Sequence, residues 1–252
     1  MPKNPLTSKV ALITGGAKRI GAEIVRMLHE QGMNVVIHYN ISGNEALALC
    51  EQLNKLRAHS ATVIRADLTV PESDKVLVQQ AAKEWGRLDV LVNNAARFYR
   101  TTITSVTEYA WDDLMASNLK APFFLAQAAA PFLAAHEGLI VNITDIHAER
   151  PLHDYSVYCI SKSGLLMMTK VLAKELGPKI RVNAVAPGSV EWPEGENSLS
   201  EEAKQMIISR TVLKREGCAN DIARAVLFFV RDADYITGQV LNVDGGRALS
   251  GK

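Results

Sequence analysis

The chain reads as one α/β domain with a doubly wound parallel sheet flanked by helices. Two observations predict it. Short apolar runs alternate with amphipathic segments from end to end, the pattern of βαβ units whose strands are buried on both faces. The length of 252 residues suits one large α/β domain and is short for two. Hydrophobic residues at 48% and charged residues at 22% permit a packed core and argue against disorder.

The elements follow in order. Residues 10–14 form a first strand, with a helix over 20–31. Residues 34–39 form a second strand, followed by a helix that starts near Asn44. A third strand covers 61–66 and a helix 75–85. Strands are expected at 88–93, 138–143, 179–185 and 240–243, and long helices at 110–135 and 156–176. Right-handed crossovers place ligands at the carboxyl ends of the strands. Residues 1–252 are read as a single domain, with a substrate loop near 188–210. Within it, 188–198 is rich in Glu, Gly, Ser and Pro and is expected to be a mobile loop or lid.

Charge and cysteine usage exclude several function classes. A formal net charge of +1 without a long basic run argues against nucleic-acid binding. Cys50, Cys159 and Cys218 are an odd number without metal-like spacing, which favours reduced thiols, an intracellular setting and no metal site. The N-terminal residues lack a signal-peptide core, and no apolar run spans a bilayer. A soluble cytoplasmic protein without a membrane partner is expected.

Thr14-Gly15-Gly16-Ala17-Lys18-Arg19-Ile20-Gly21 lies where the first strand turns into the first helix. Glycines permit the turn, and a helix N-terminus offers N–H groups to a pyrophosphate. A P-loop would continue with Lys and Ser or Thr after Gly21, but Ala22 and Glu23 stand there. The Rossmann fingerprint is matched imperfectly, with Arg19 at the middle-glycine position, so a dinucleotide site and a plain strand–helix turn both stay open on this loop alone. After the second strand come His38, Tyr39, Asn40 and Ser42, with no carboxylate before Glu45. NAD sites use an acid here to hold the ribose diol. Its absence, with Lys18 in the loop as a partner for a 2′-phosphate, favours NADPH. Asp67, just past the third strand, is placed to meet the adenine amino group.

Tyr158 and Lys162 are four apart in a helical segment, so phenol and ammonium share one face. A nearby cation favours the phenolate and is expected to lower the Tyr pKa from about 10 towards the range of a working acid. Asn93-Asn94 after the fourth strand, Asn118 in a helix and Pro187-Gly188 after the sixth strand converge on the same sheet edge.

Taken together, Thr14-Gly15…Gly21, Asn93-Asn94-Ala95, Asn118, Tyr158…Lys162, Pro187-Gly188 and Val243-Asp244-Gly245-Gly246 resemble the short-chain dehydrogenase/reductase family over essentially the whole chain. The resemblance implies Tyr158 as proton donor and Lys162 as the group that tunes it and holds the nicotinamide ribose. It implies Asn118 as holder of a relay water, and Pro187-Gly188 as the carboxamide contact. The cofactor contacts it implies also take in Gly15, Lys18, Arg19, Ile20, His38, Tyr39, Asn40, Ser42, Asp67, Leu68, Asn94, Ala95, Ala96 and Ser189. Such proteins are commonly homotetramers built on the long helices, here 110–135 and 156–176, and on the C-terminal segment. The runs Phe123-Phe124-Leu125 and Leu165-Leu166-Met167-Met168 fit such an interface and fit a core equally well.

Asp145 stands thirteen residues ahead of Tyr158, where most of that family has a serine that steadies a substrate carbonyl. A carboxylate repels a developing alkoxide and suits ring nitrogens that must be hydrogen-bonded or protonated. Arg19 in the glycine loop, the segment Asn93–Tyr99 and His38-Tyr39 followed by Ser42 resemble pteridine reductases within the family. That narrower resemblance assigns Arg19 to the pterin and the cofactor phosphates, Phe98 to stacking, and Asp145 with Tyr158 to proton delivery. Ile41 replaces an arginine often found near the 2′-phosphate, and Ala96 replaces a hydroxyl residue. Trp192 fits either a cap on the pterin or an anchor for its loop. The expected activity is NADPH-dependent reduction of dihydropterins, with dihydrofolate a further candidate. A general reductase of 3-oxoacyl thioesters or sugars is the main alternative, and a non-catalytic NADP sensor the other.

Overall fold

The computed structural model describes residues 6–192 and 198–250. Its centre is a seven-stranded parallel sheet in the order β3-β2-β1-β4-β5-β6-β7. The strands are β1 (Val10–Ile13), β2 (Asn34–Tyr39), β3 (Ala61–Arg65), β4 (Val90–Asn93), β5 (Leu139–Ile143), β6 (Arg181–Pro187) and β7 (Val240–Val243). The strand order reverses direction between β1 and β4, the switch point at which ligands bind in such sheets.

Alternation along each strand feeds two cores. Ala11, Ile13, Val35, Ile37, Val92 and Val141 face a layer formed by α1 (Arg19–Glu30), α2 (Gly43–Leu56) and α8 (Ala219–Arg231). Val10, Leu12, Val36, Leu91, Ile140 and Val182 face the opposite layer of α3 (Ser73–Glu84), α5 (Ala121–Ala134) and α6 (Ser156–Leu176). Both faces are covered, as the continuous apolar strands require.

Four departures from the expected elements have local causes. The helix expected over 110–135 is α4 (Glu108–Met115), a π-helical turn at Ala116–Lys120, then α5. The wide turn carries the buried Asn118, and such bulges recur at functional sites. β6 runs to Pro187, which pairs with Val243 at the strand end, where a missing N–H costs little. Part of the expected substrate loop is a helix, α7 (Glu201–Ser209). Ser200 caps it by accepting from the N–H of Ala203, and Glu201 and Glu202 sit in its first turn. Residues 193–197 of the expected lid lie outside the described residues. α8 was not among the expected elements; the N–H of Cys218 donates to Asp221 and helps start it.

The two ambiguous apolar runs divide between core and surface. Leu125, Leu165, Leu166 and Met168 are buried, while Phe123, Phe124 and Met167 are exposed. Among the described residues no helix is long and apolar enough to cross a membrane.

Candidate active site

A cavity of about 760 Å³ opens at the carboxyl ends of the strands. Its floor is the turn from β1 into α1. Gly15 has φ +60°, and a Cβ at Gly21 would lie 2.1 Å from the Gly15 carbonyl oxygen, so the helix approaches as only glycine allows. Asn94 Nδ2 donates to the carbonyls of Thr14 and Gly15 at 2.9 and 3.1 Å. Thr14 Oγ1 accepts from the N–H groups of Asn94 and Ala95 at 2.9 and 3.0 Å. Asn94 thus braces the loop from behind. The N-terminal turn of α1, with Lys18, Arg19 and Ile20, opens on the cavity.

His38 supports the same loop. Its Nδ1 accepts from the Gly15 N–H at 3.1 Å, which leaves Nε2 to donate to the Ala66 carbonyl at 3.1 Å. Burial pushes its pKa down to about 4. A neutral ring with both nitrogens engaged holds the loop, and His38 also lines the cavity, where a cofactor contact is expected of it. Tyr39, Asn40 and Ser42 line the same end of the cavity, and Ile41 is 90% exposed there. Lys18 pairs with Glu45 at 2.5 Å, both half-exposed. Asp67 and Leu68 do not line the cavity. Asp67 instead accepts from the N–H and hydroxyl of Thr69 at 3.0 and 2.7 Å, which helps hold its pKa down.

Asp145, Tyr158 and Lys162 form the centre. Asp145 ends the extension of β5 and caps a short 3-10 turn, its Oδ1 accepting from the His147 N–H at 2.8 Å. Its Oδ2 accepts from the Tyr158 hydroxyl at 2.7 Å. Lys162 Nζ donates to the Ile143 carbonyl at 2.9 Å and lies 5.8 Å from the centroid of the Tyr158 ring. The expected lowering of the Tyr158 pKa is reversed in this arrangement. Burial and the neighbouring Asp145 carboxylate hold it well above the ordinary phenol value. Burial also pushes Lys162 down to about 8, and its ammonium is spent on a carbonyl. Sequence spacing shows that two side chains share a face; it does not show how dry that face is.

Asn118 lies behind this centre and does not line the cavity. Its Oδ1 accepts from the Arg97 N–H at 2.8 Å, and its Nδ2 donates to the Arg97 carbonyl and to Ser161 Oγ. Ser161 in turn donates to the Tyr158 carbonyl at 2.7 Å. Ala95, Ala96 and Phe98 reach the cavity from the loop after β4. The Phe98 ring stacks on Tyr155 at 4.5 Å and meets the edge of Tyr158 at 4.8 Å. Tyr155 was missed in the sequence, although its spacing of three from Tyr158 places both near one helix face.

The roof is the segment after β6. Pro187, Gly188, Ser189 and Trp192 line the cavity. Arg19, at φ +53°, donates to Glu191 Oε2 at 3.2 Å and to the carbonyls of Glu191 and Trp192 at 2.6 and 3.1 Å. It therefore ties the glycine loop to the roof. Arg247 also lines the cavity and was overlooked in the sequence, because only the topology carries the C-terminal turn there.

Against known proteins, the chain matches a family profile described as enoyl-(acyl carrier protein) reductase over residues 15–248. It is 35% identical to 3-oxoacyl-[acyl-carrier-protein] reductase FabG of Staphylococcus epidermidis over 95% of this chain and 98% of that protein. The FabG of Chlamydia trachomatis is 33% identical over 96% and 98%. Pteridine reductase 1 of Leishmania tarentolae is 35% identical over 97% and 98%. The chain belongs to the short-chain dehydrogenase/reductase family. This short-chain reductase is an oxidoreductase, and its relatives imply a nicotinamide cofactor. The residues fit such a group: the cavity lies at the sheet's switch point, a helix N-terminus opens on it, and Lys18 and Arg19 stand at its phosphate end. Identity to the two kinds of relative is equal at 35%, so the substrate has to be argued from the site.

Proposed function

We propose that the protein is an NADPH-dependent pteridine reductase that reduces dihydropterins to their tetrahydro forms. One observation carries this reading: the 2.7 Å hydrogen bond from Tyr158 to Asp145, in a cavity walled by Phe98 and Tyr155. A carboxylate beside the proton donor disfavours an alkoxide and favours a heterocycle that takes up a proton on nitrogen. Flat aromatic walls suit a flat ring.

A reduced nicotinamide, when bound, would supply the hydride for the imine carbon of the pterin, and the protein's part is to deliver a proton to the imine nitrogen. Tyr158 holds that proton, kept on the phenol by burial and by Asp145. Asp145 orients the phenol and accepts from ring N–H groups. Lys162, fixed by the Ile143 carbonyl, faces the ribose side. Asn118 is assigned to resupply from behind α6. Phe98 is assigned to stacking on the pterin, and Trp192 to the roof.

The NADPH assignment rests on Lys18 and Ser42 and on the lack of an acid at the end of β2. The exposed Lys18–Glu45 pair is screened by solvent and weak, so a 2′-phosphate displaces Glu45 at small cost. A cytoplasmic homotetramer is part of the same reading, supported by the three free cysteines and by exposed Phe123, Phe124, Ile160, Met167 and Val171 on α5 and α6.

The second reading is reduction of 3-oxoacyl thioesters, which the names of the FabG relatives favour. The experiment is NADPH oxidation with dihydrobiopterin, dihydromonapterin and dihydrofolate against acetoacetyl-CoA. Turnover of a pterin in preference to the thioester is expected. Thioester turnover without pterin turnover overturns the proposal in favour of the second reading.

A further inference from the structure

Several cations reach the cleft, and most have an evident occupation. Lys18 pairs with Glu45, Arg19 clasps Glu191 and Lys162 holds the Ile143 carbonyl. Arg247 differs. It is half-buried, and among the described residues its hydrogen-bond partner is the neutral Ser189 hydroxyl, 2.5 Å from Nη1. No carboxylate among those residues stands within ion-pair distance of it. Asp145 and Asp244 act on it through space, with Arg210 opposing, and burial pulls its pKa down. A guanidinium carries five donors, and a charge withdrawn from water without a paired anion is costly.

The fold delivers this side chain deliberately far from where it is encoded. After β7, Gly245 and Gly246 take φ +61° and +77° and turn the chain back. Asp244 locks the turn by accepting from the N–H groups of Gly246 and Ala248 at 2.9 and 2.7 Å. A Cβ at Gly188 would come within 2.6 Å of Asp244 Cβ, so the C-terminal turn and the 188–189 turn seat as one unit. Arg150 adds a bond from the loop after β5 to the Ser250 carbonyl at 2.9 Å. Arg247 thereby enters the cavity beside Ser189, next to the Asp145–Tyr158 pair and not within it.

We propose that Arg247 is a specificity-determining residue that donates to acceptor oxygens on the substrate's side chain. It thereby selects dihydropterins whose side chain carries hydroxyl or anionic oxygens over those with a plain alkyl group. The inference rests on the pteridine reading and says which pterins the site prefers.

The test compares wild type, R247M and R247K on three 7,8-dihydropterins: the 6-trihydroxypropyl compound, its phosphate ester and the 6-methyl compound. The measurements are kcat/KM and the dissociation constant from tryptophan fluorescence in the presence of NADP+. In R247M, preference for the two oxygen-bearing compounds over the 6-methyl compound falls about tenfold or more, the scale of a hydrogen bond from a charged donor. R247K restores part of it. A larger loss for the phosphate ester assigns an anion, and equal losses assign hydroxyls. A uniform loss across all three compounds overturns the inference, because it marks Arg247 as a brace for Ser189. If R247M does not fold, R247Q makes the same comparison. Pterin turnover with indifferent variants removes this inference alone, whereas no pterin turnover by wild type removes the pteridine reading and this inference with it.

Discussion

The floor and the roof of the cleft are built on different physics. The floor is a closed network: Asn94 and His38 satisfy the backbone of the glycine loop, Thr14 accepts from the N–H groups of Asn94 and Ala95, and His38 is only 2% exposed. The roof is held by a partly exposed arginine, Arg19, on Glu191 and Trp192, and by Arg247 on Ser189. Buried hydrogen bonds are costly to break, whereas exposed ion pairs are cheap. The difference suits the two tasks. A floor fixed in advance loses little entropy on binding a cofactor, and weak links at the roof are the ones most easily broken and remade.

Tyr158, the proposed proton donor, is buried and bonded to Asp145, so the largest expected effect is there. Y158F lowers kcat by about 10²–10⁴-fold, the range for loss of a positioned acid, while NADPH affinity measured by fluorescence changes little. A kcat within tenfold of wild type contradicts the role given to Tyr158.

The next effect tests how closed the floor is. His38 has its pKa depressed from the ordinary 6.5 to about 4. Between those values the unfolded chain takes up a proton that the folded one refuses. Its contribution is therefore complete above pH 6.5 and is lost as pH falls towards 4. The loss is about 3 kcal/mol, read from urea unfolding across that window. H38Q is expected to show a shallower decline; an equal slope would place the acid sensitivity elsewhere.

The smallest effect belongs to the roof. E191Q weakens one ion pair with Arg19 and is expected to lower stability by under about 1 kcal/mol. A loss several times larger, measured by the same unfolding assay, would show that roof and floor are equally rigid.

The same contrast explains what could be read from the sequence. The glycine turn of the floor was legible because its glycines act within a few residues of where they stand, and the strand periodicity that set the sheet is equally local; the brace from Asn94, which is distant in sequence from Thr14 and Gly15, was not. Tyr158 and Lys162 were legible by spacing, and Asp145 by the family resemblance. The sign of the Tyr158 shift was not, because desolvation depends on what packs around the ring. That His38 holds the glycine loop was not legible for a related reason: its partners, Gly15 and Ala66, come from two other loops. Arg247 was hidden because β7 pairs with β6 and carries the C-terminal turn to the cleft. α7 was hidden by its polar composition, although Ser200-Glu201-Glu202 is a recognisable helix start.

The account turns on Asp145, and the most direct measurement is the effect of D145S on the ratio of kcat/KM for dihydropterin to that for acetoacetyl-CoA. Replacing the carboxylate by a hydroxyl removes the anion next to Tyr158 and leaves a donor for a carbonyl oxygen. The account predicts that the ratio falls by at least about tenfold, through loss of pterin turnover, with NADPH binding retained; one lost hydrogen bond to a charged group is enough for that change. A ratio that stays constant would contradict it, since Asp145 would then have no part in choosing the substrate.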